Sequence, residues 1–251
     1  MNTITPLRTG TIYCDKGKTL TQGIDEGKMI YIPSISWLIT TPTEKILVDT
    51  GMPDTIQSTN NHYPGSYQLP GQRIDHALKM INIDVAEISK IIFTHLHWDH
   101  CQNALLFPNA QLYIQQKELE FAKNPTGSYL RSYDHPEIML TPGFQPYTFK
   151  VIDEDIEIAP GITAILAAGH SPGHQIVHVQ TDSGPYVIAG DAILCYENLM
   201  PTNNSDYTLP GRHKDTTQTI QSIEKILSLA TTPSRILPGH EEKVFRKARY
   251  D

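Results

Sequence analysis

The chain has 251 residues, 39% of them hydrophobic, and a formal net charge of −7. That much apolar material builds a substantial core and excludes disorder, while the negative balance repels phosphate backbones, so no nucleic-acid partner is expected. Cys14, Cys101 and Cys195 are odd in number and lack C-x-x-C spacing, which disfavours a disulfide framework or a thiolate zinc site and fits a reducing cytoplasm.

One domain spanning 1–251 is expected from this length. Residues 1–10 hold no apolar run of signal-peptide type, and the best uncharged run, 29–43, is too short and too polar to span a bilayer, so no membrane partner is expected. Short Ile/Val/Leu/Tyr-rich runs bounded by turn residues predict strands at 34–40, 45–49, 90–94, 111–114, 162–166, 176–180, 186–189 and 235–237. Helical spacing predicts helices at 74–82, 118–123 and 215–230. In the last, Ile220, Ile223, Leu227 and Ala230 recur on one face, and Asp215 with Gln218 resembles a capping box. Segments 52–73, 124–149 and 197–214, rich in Pro, Gly, Asn and Tyr, read as loops of a length that functional or mobile segments take. Lys243, Arg246, Lys247 and Arg249 read as a solvated helix end.

The run Thr94-His95-Leu96-His97-Trp98-Asp99-His100 places three imidazoles and a carboxylate within six positions, directly after the strand at 90–94. No hairpin or helix cap needs three imidazoles, whereas divalent ions need N and O donors of this kind. Four other strands end the same way: 45–49 runs into Asp49-Thr50-Gly51, 162–166 into Gly169-His170, 186–189 into Gly190-Asp191 and 235–237 into Gly239-His240. One site at a sheet rim accounts for all five. If these ends converge, His95, His97 and His170 suffice for one ion and Asp99, His100 and His240 for a second, with Asp191 bridging. Two such ions share an activated water-derived nucleophile and polarise a carbonyl or phosphoryl oxygen, so metal-assisted hydrolysis is the expected reaction. Zinc suits this donor set, and Mn, Fe or Co ligate similarly.

Residues 94–100, Gly169-His170, Gly190-Asp191 and Gly239-His240, with Val48-Asp49-Thr50-Gly51 upstream, resemble in order and number the motif series of the metallo-β-lactamase superfamily. The resemblance spans 45–240. It implies an α/β (α+β) αββα sandwich: two mixed sheets face to face, helices outside and metals at one rim. Asp49 is then implied to orient a ligand imidazole from behind.

Departures from other branches narrow the expectation. The best-known zinc β-lactamases place a Cys ligand where Asp191 stands. Flavo-diiron proteins carry an acidic residue at the position of His97 and need a flavodoxin domain. Glyoxalase II enzymes extend into a helical region, whereas only residues 241–251 follow His240 here. Ribonuclease Z-like enzymes need a basic surface. The N-acyl-homoserine lactonases and related small lactonases remain the best match. The implied partner is a small-molecule lactone or ester, attacked at its carbonyl by a metal-bridging hydroxide, with a metal or Asp99 assisting the leaving ring oxygen. The alternative is hydrolysis of a thioester, phosphodiester or sulfate ester.

Those lactonases carry a Tyr three residues after the bridging Asp, and Leu194 stands there in this chain. Tyr196 is the nearest phenol and, on a strand, would share the face of Leu194, which makes it the candidate catalytic phenol. Tyr129, Tyr133, Phe144, Tyr147 and Phe149 are candidates for an apolar groove holding an acyl chain. Trp98 is expected to pack behind the site, His174 to support the loop of His170, and Cys101 to be a small buried residue. A homodimer is compatible with all of this.

Overall fold

The computed structural model describes residues 1–203 and 205–251. Eleven strands form two sheets among the described residues. The first sheet has the order β1 (Thr3–Asp15), β2 (Met29–Thr40), β3 (Lys45–Val48), β4 (Ile88–Ile92), β5 (Gln111–Gln115) and β6 (Phe149–Ile152). The second runs β11 (Ile236–Pro238), β10 (Gly184–Gly190), β9 (Gln175–Thr181), β8 (Ile162–Leu166) and β7 (Ile156–Ala159). Both are mixed: β3 to β6 pair in parallel, as do β10 and β11, and the remaining pairs are antiparallel.

Side-chain alternation turns the two sheets face to face. Along β2, Ile35, Trp37 and Ile39 join a cluster with Ile162, Val177, Val179 and Ile188 of the other sheet, whereas Leu38 between them points the opposite way. Ile46 and Val48 of β3 likewise face inward and Leu47 outward. The outward set packs against α3 (Ile74–Met80) and α4 (Gln116–Lys123) through Ile74, Leu78 and Ala122. On the far face of the second sheet, Ile223, Ile226 and Ala230 of α5 (Thr216–Ala230) cover Ile176, Val187 and Ile236. The result is the αββα sandwich; α1 (Lys16–Thr19) and α2 (Thr55–Asn61) are short turns of helix at its edge.

Asp215 sits before α5 as its N-cap, accepting from the Gln218 backbone N–H at 2.9 Å. Three strands, β1, β6 and β7, lie where sequence periodicity predicts none, and all three are sheet edges. β1 contains Pro6, Gly10 and a register shift between Arg8 and Gly10, features that an edge accommodates and that obscure alternation. Segment 52–73 contains α2 rather than continuous loop.

Candidate metal centre

Strand ends deliver the polar groups to one rim. β3 stops at Val48, and Asp49 follows in a left-handed turn, φ 61°. Its Oδ1 accepts the Thr94 backbone N–H at 2.7 Å, and its Oδ2 accepts the Thr94 hydroxyl and His100 Nδ1–H, both at 2.8 Å. The parallel neighbour β4 leads into residues 94–100, and β10 into Gly190 and Asp191. Gly190 has φ 49°, and a Cβ there would stand 2.8 Å from His174 Nε2 and 2.9 Å from Thr94 Cγ2, so this turn admits only glycine.

The seven expected ligands come together in two buried groups. One ligand atom from each of His95, His97, His170 and Asp191 lies within 4.8 Å of the others, and Asp99, His100 and His240 form a second such group. Asp191 faces both. Its Oδ2 is 3.3 Å from His170 Nε2 and 3.8 Å from His95 Nε2, while its Oδ1 is 3.3 Å from His100 Nε2 and 3.2 Å from His240 Nε2. Donors bound to one tetrahedral ion at about 2.0–2.1 Å stand about 3.3 Å apart. The outward ring nitrogens are committed elsewhere: His95 Nδ1 to the Thr94 hydroxyl, His170 Nδ1 to Arg212 O, His240 Nδ1 to Pro33 O. That fixes the inward Nε2 atoms as lone-pair donors. Buried His95 Nε2, His100 Nε2 and Asp191 Oδ1 have no hydrogen-bond partner, an arrangement too costly to keep unless a cation fills it. The residues present therefore fit two divalent ions.

Electrostatics divides the two groups. Burial, with neighbouring imidazoles, holds His95, His97 and His170 below the usual imidazole range. Burial also opposes charge on His100 and His240, but Asp191 and Asp99, joined by Asp49 at His100, outweigh it and raise both. Asp191, despite its burial, is held well below the carboxylate range by His100, His240 and His170.

Glu118, near the start of α4, carries a role that the sequence does not flag. Fully buried, its Oε1 accepts Leu96 N–H at 3.0 Å and the Tyr133 hydroxyl at 2.8 Å, and its Oε2 accepts the Ser171 hydroxyl at 2.5 Å. It thereby ties the His95–His97 turn to the loop of His170. Gly173 permits the approach, since a Cβ there would lie 1.9 Å from Glu118 N. His174, in the loop of His170, accepts the Asp191 backbone N–H on Nε2 at 3.0 Å, so it also braces Asp191.

Three expectations are corrected. Tyr196 lies in a 3₁₀ turn, not a strand, and its hydroxyl donates to Ile236 O at 3.0 Å, away from the ligands. Trp98 lines the cavity above the cluster instead of packing behind it, with its ring stacked on His62 at 4.0 Å. Phe144, Tyr147 and Phe149 line a separate hollow beside α4, and Tyr133 is spent on Glu118. The cavity itself, of about 230 Å³, is bounded by Ile12, Ile32, Tyr63, Trp98 and Leu194 and reaches His97, Asp99, His170, Asp191 and His240. Its phenol is that of Tyr63. Cys101 is buried, donating its thiol to Leu96 O.

A two-sheet sandwich with a buried His/Asp cluster at one rim defines a metal-dependent hydrolase. The chain belongs to the metallo-beta-lactamase superfamily, whose family model matches residues 32–240. It is similar to an N-acyl homoserine lactonase from a Bacillus species, 30% identical over 183 residues, 69% of each chain. Another, from Azorhizobium caulinodans, is 28% identical over 260 residues, covering 96% of this chain and 95% of the relative. An N-acyl homoserine lactone hydrolase solved with the product N-hexanoyl-L-homoserine at its catalytic metal center superposes with a TM-score of 0.77 at 24% identity, over 97% of this chain and 95% of that one.

Proposed function

We propose that the protein is a dinuclear lactonase, opening a lactone or closely related ester to a hydroxy acid. The observation that carries this reading is the Asp191 carboxylate, which presents one oxygen to each group of imidazoles beneath a small, mostly apolar cavity. His95, His97 and His170 would hold one ion, Asp99, His100 and His240 the other, and Asp191 both; zinc suits these donors. With both ions bound, the site supplies a Lewis acid for the carbonyl oxygen and water of near-neutral pKa. Ile12, Ile32, Trp98 and Leu194 exclude bulk water and hold the ring. Asp99, whose Oδ2 lies 3.7 Å from His100 Nε2 and His240 Nε2, takes the proton released by the attacking water and returns it to the leaving ring oxygen. The relatives named lactonases support the reading.

Leu194, which lines the cavity where lactonases carry a Tyr, favours the second reading, hydrolysis of a thioester, phosphodiester or sulfate ester. Proton release by metal-replete protein on acyl-homoserine lactones and simple γ- and δ-lactones, with a thioester and a phosphodiester as comparators, tests the choice. Lactone-selective turnover is expected; turnover of a comparator alone would transfer the function to the second reading.

A further inference from the structure

The cavity lining includes two arginines whose positive charge meets no carboxylate. Arg8, Arg73 and Arg249 each form an ion pair, whereas among the described residues Arg131 and Arg212 form none; nor do Arg235, bonded to Ser183, and exposed Arg246, but neither of these lines the cavity. Arg212 is half-buried and fixed along its length. Its backbone N–H donates to Thr19 O at 3.1 Å, its carbonyl accepts His170 Nδ1–H at 2.9 Å, and its Nη2 donates to Ser132 Oγ at 2.6 Å. Ser132 is itself tied to the ligand turn, its carbonyl accepting Trp98 N–H at 2.9 Å. Arg131, exposed at the rim, uses Nη1 on Asn61 O.

A guanidinium offers five N–H donors in a planar fork that matches a carboxylate. Arg212 spends one of its side-chain donors on Ser132, which leaves the others for a ligand. A cation drawn halfway out of water without a counter-charge is costly and is stabilised by an anion that joins it. The volume limits what can join. About 230 Å³ lies below the ~300–1,000 Å³ typical of drug-sized ligands, which leaves room for one small ring and a short substituent.

We infer that the substrate is a small lactone bearing a carboxylate, which Arg212 grips while the ring carbonyl meets the metal centre, with Arg131 drawing the anion to the mouth. This rests on the lactonase reading and deepens it. The Arg212 fork sets the orientation of the ring, and the apolar wall of Ile12, Ile32 and Leu194 takes its carbon face. A neutral ring of the same shape would leave the guanidinium unpaired in a cavity it also desolvates.

The test compares 5-oxotetrahydrofuran-2-carboxylate with its carboxamide on the metal-replete enzyme, wild type, Arg212→Met and Arg212→Gln. A charge-assisted hydrogen bond of about 1.5–3 kcal/mol corresponds to a preference of roughly 10- to 100-fold in kcat/KM for the carboxylate. The ratio should fall towards one in either Arg212 variant, mostly through KM, and to a lesser extent in Arg131→Met. Because a ratio is read, a general loss of activity cancels. Turnover of the carboxamide or of unsubstituted γ-butyrolactone at least equal to that of the carboxylate would overturn the inference and leave the lactonase reading standing. If no lactone turns over, that reading fails, and calorimetric binding of glutarate against 4-carbamoylbutanoate decides the anion site alone. Tighter glutarate binding that vanishes in Arg212→Met supports it, and equal binding overturns it.

Discussion

Behind His100 stands Asp49, and behind the turn of His95 and His97 stands Glu118; the two buried carboxylates reach the same cluster by different routes. Asp49 is one residue beyond β3 and bonds Thr94, at the end of the neighbouring strand β4, so the second half of the centre is set by strand pairing. Glu118 comes from α4 on the outer face and gathers Leu96, Tyr133 and Ser171 from three separate segments. The first half of the centre is therefore built by tertiary packing of loops. A site made this way has one support intrinsic to the sheet and one that exists only once the helix has docked.

The largest effect should come from the residue the halves share. Asp191→Ala removes both inward oxygens at once, and turnover should fall on the order of 10³-fold or more together with the loss of bound metal. Metal analysis of the purified variant alongside kinetics checks this, and a variant that keeps two ions and near-normal rate would mean that the halves are not joined through Asp191.

Next come the supports themselves. Partners behind metal ligands cost about 10- to 100-fold in metal affinity when replaced. On the proposed assignment, Asp49→Asn should weaken chiefly an ion at Asp99, His100 and His240, and Glu118→Gln chiefly one at His95, His97 and His170, each affecting the other ion less. Competitive chelator titration followed by native mass spectrometry would resolve one-ion from two-ion species. Loss of both ions in step from both variants would show that the centre has a single support and break the comparison.

The same division explains what is legible in the sequence. Asp49, residues 95–100, His170, Asp191 and His240 each follow a strand by a few residues, so a local pattern of apolar run, Gly and polar residue points to them. Glu118 follows no motif; only the helix packing against the sheet shows that it is buried. Arg212 and Tyr63 lie within 197–214 and 52–73, whose loop composition carries no periodicity to say which residues turn inward. Edge strands β1, β6 and β7 elude periodicity for a related reason: with one neighbour and partial burial, their polar and apolar residues need not alternate. For Trp98, adjacency to ligands in sequence leaves open whether a side chain points into the cavity or away from it.

The smallest effect belongs to Tyr196, on the far side of that line. Its position two residues beyond Leu194 would matter on a strand, where both side chains share a face, but the chain turns into a 3₁₀ helix at Tyr196 and the ring swings under Lys243, whose Nζ stands 5.9 Å from its centroid. The hydroxyl donates to Ile236 O of β11, the strand that delivers His240. Tyr196→Phe should therefore cost about 1 kcal/mol of stability, the worth of one hydrogen bond, and leave kcat/KM within about twofold. Tyr63→Phe, at the phenol that does line the cavity, should change KM more than Tyr196→Phe does. Denaturant unfolding and kinetics on the same two preparations would decide; a kcat loss confined to Tyr196→Phe would mean that residues 190–199 rearrange when substrate binds, and that the phenol two positions late reaches the metals after all.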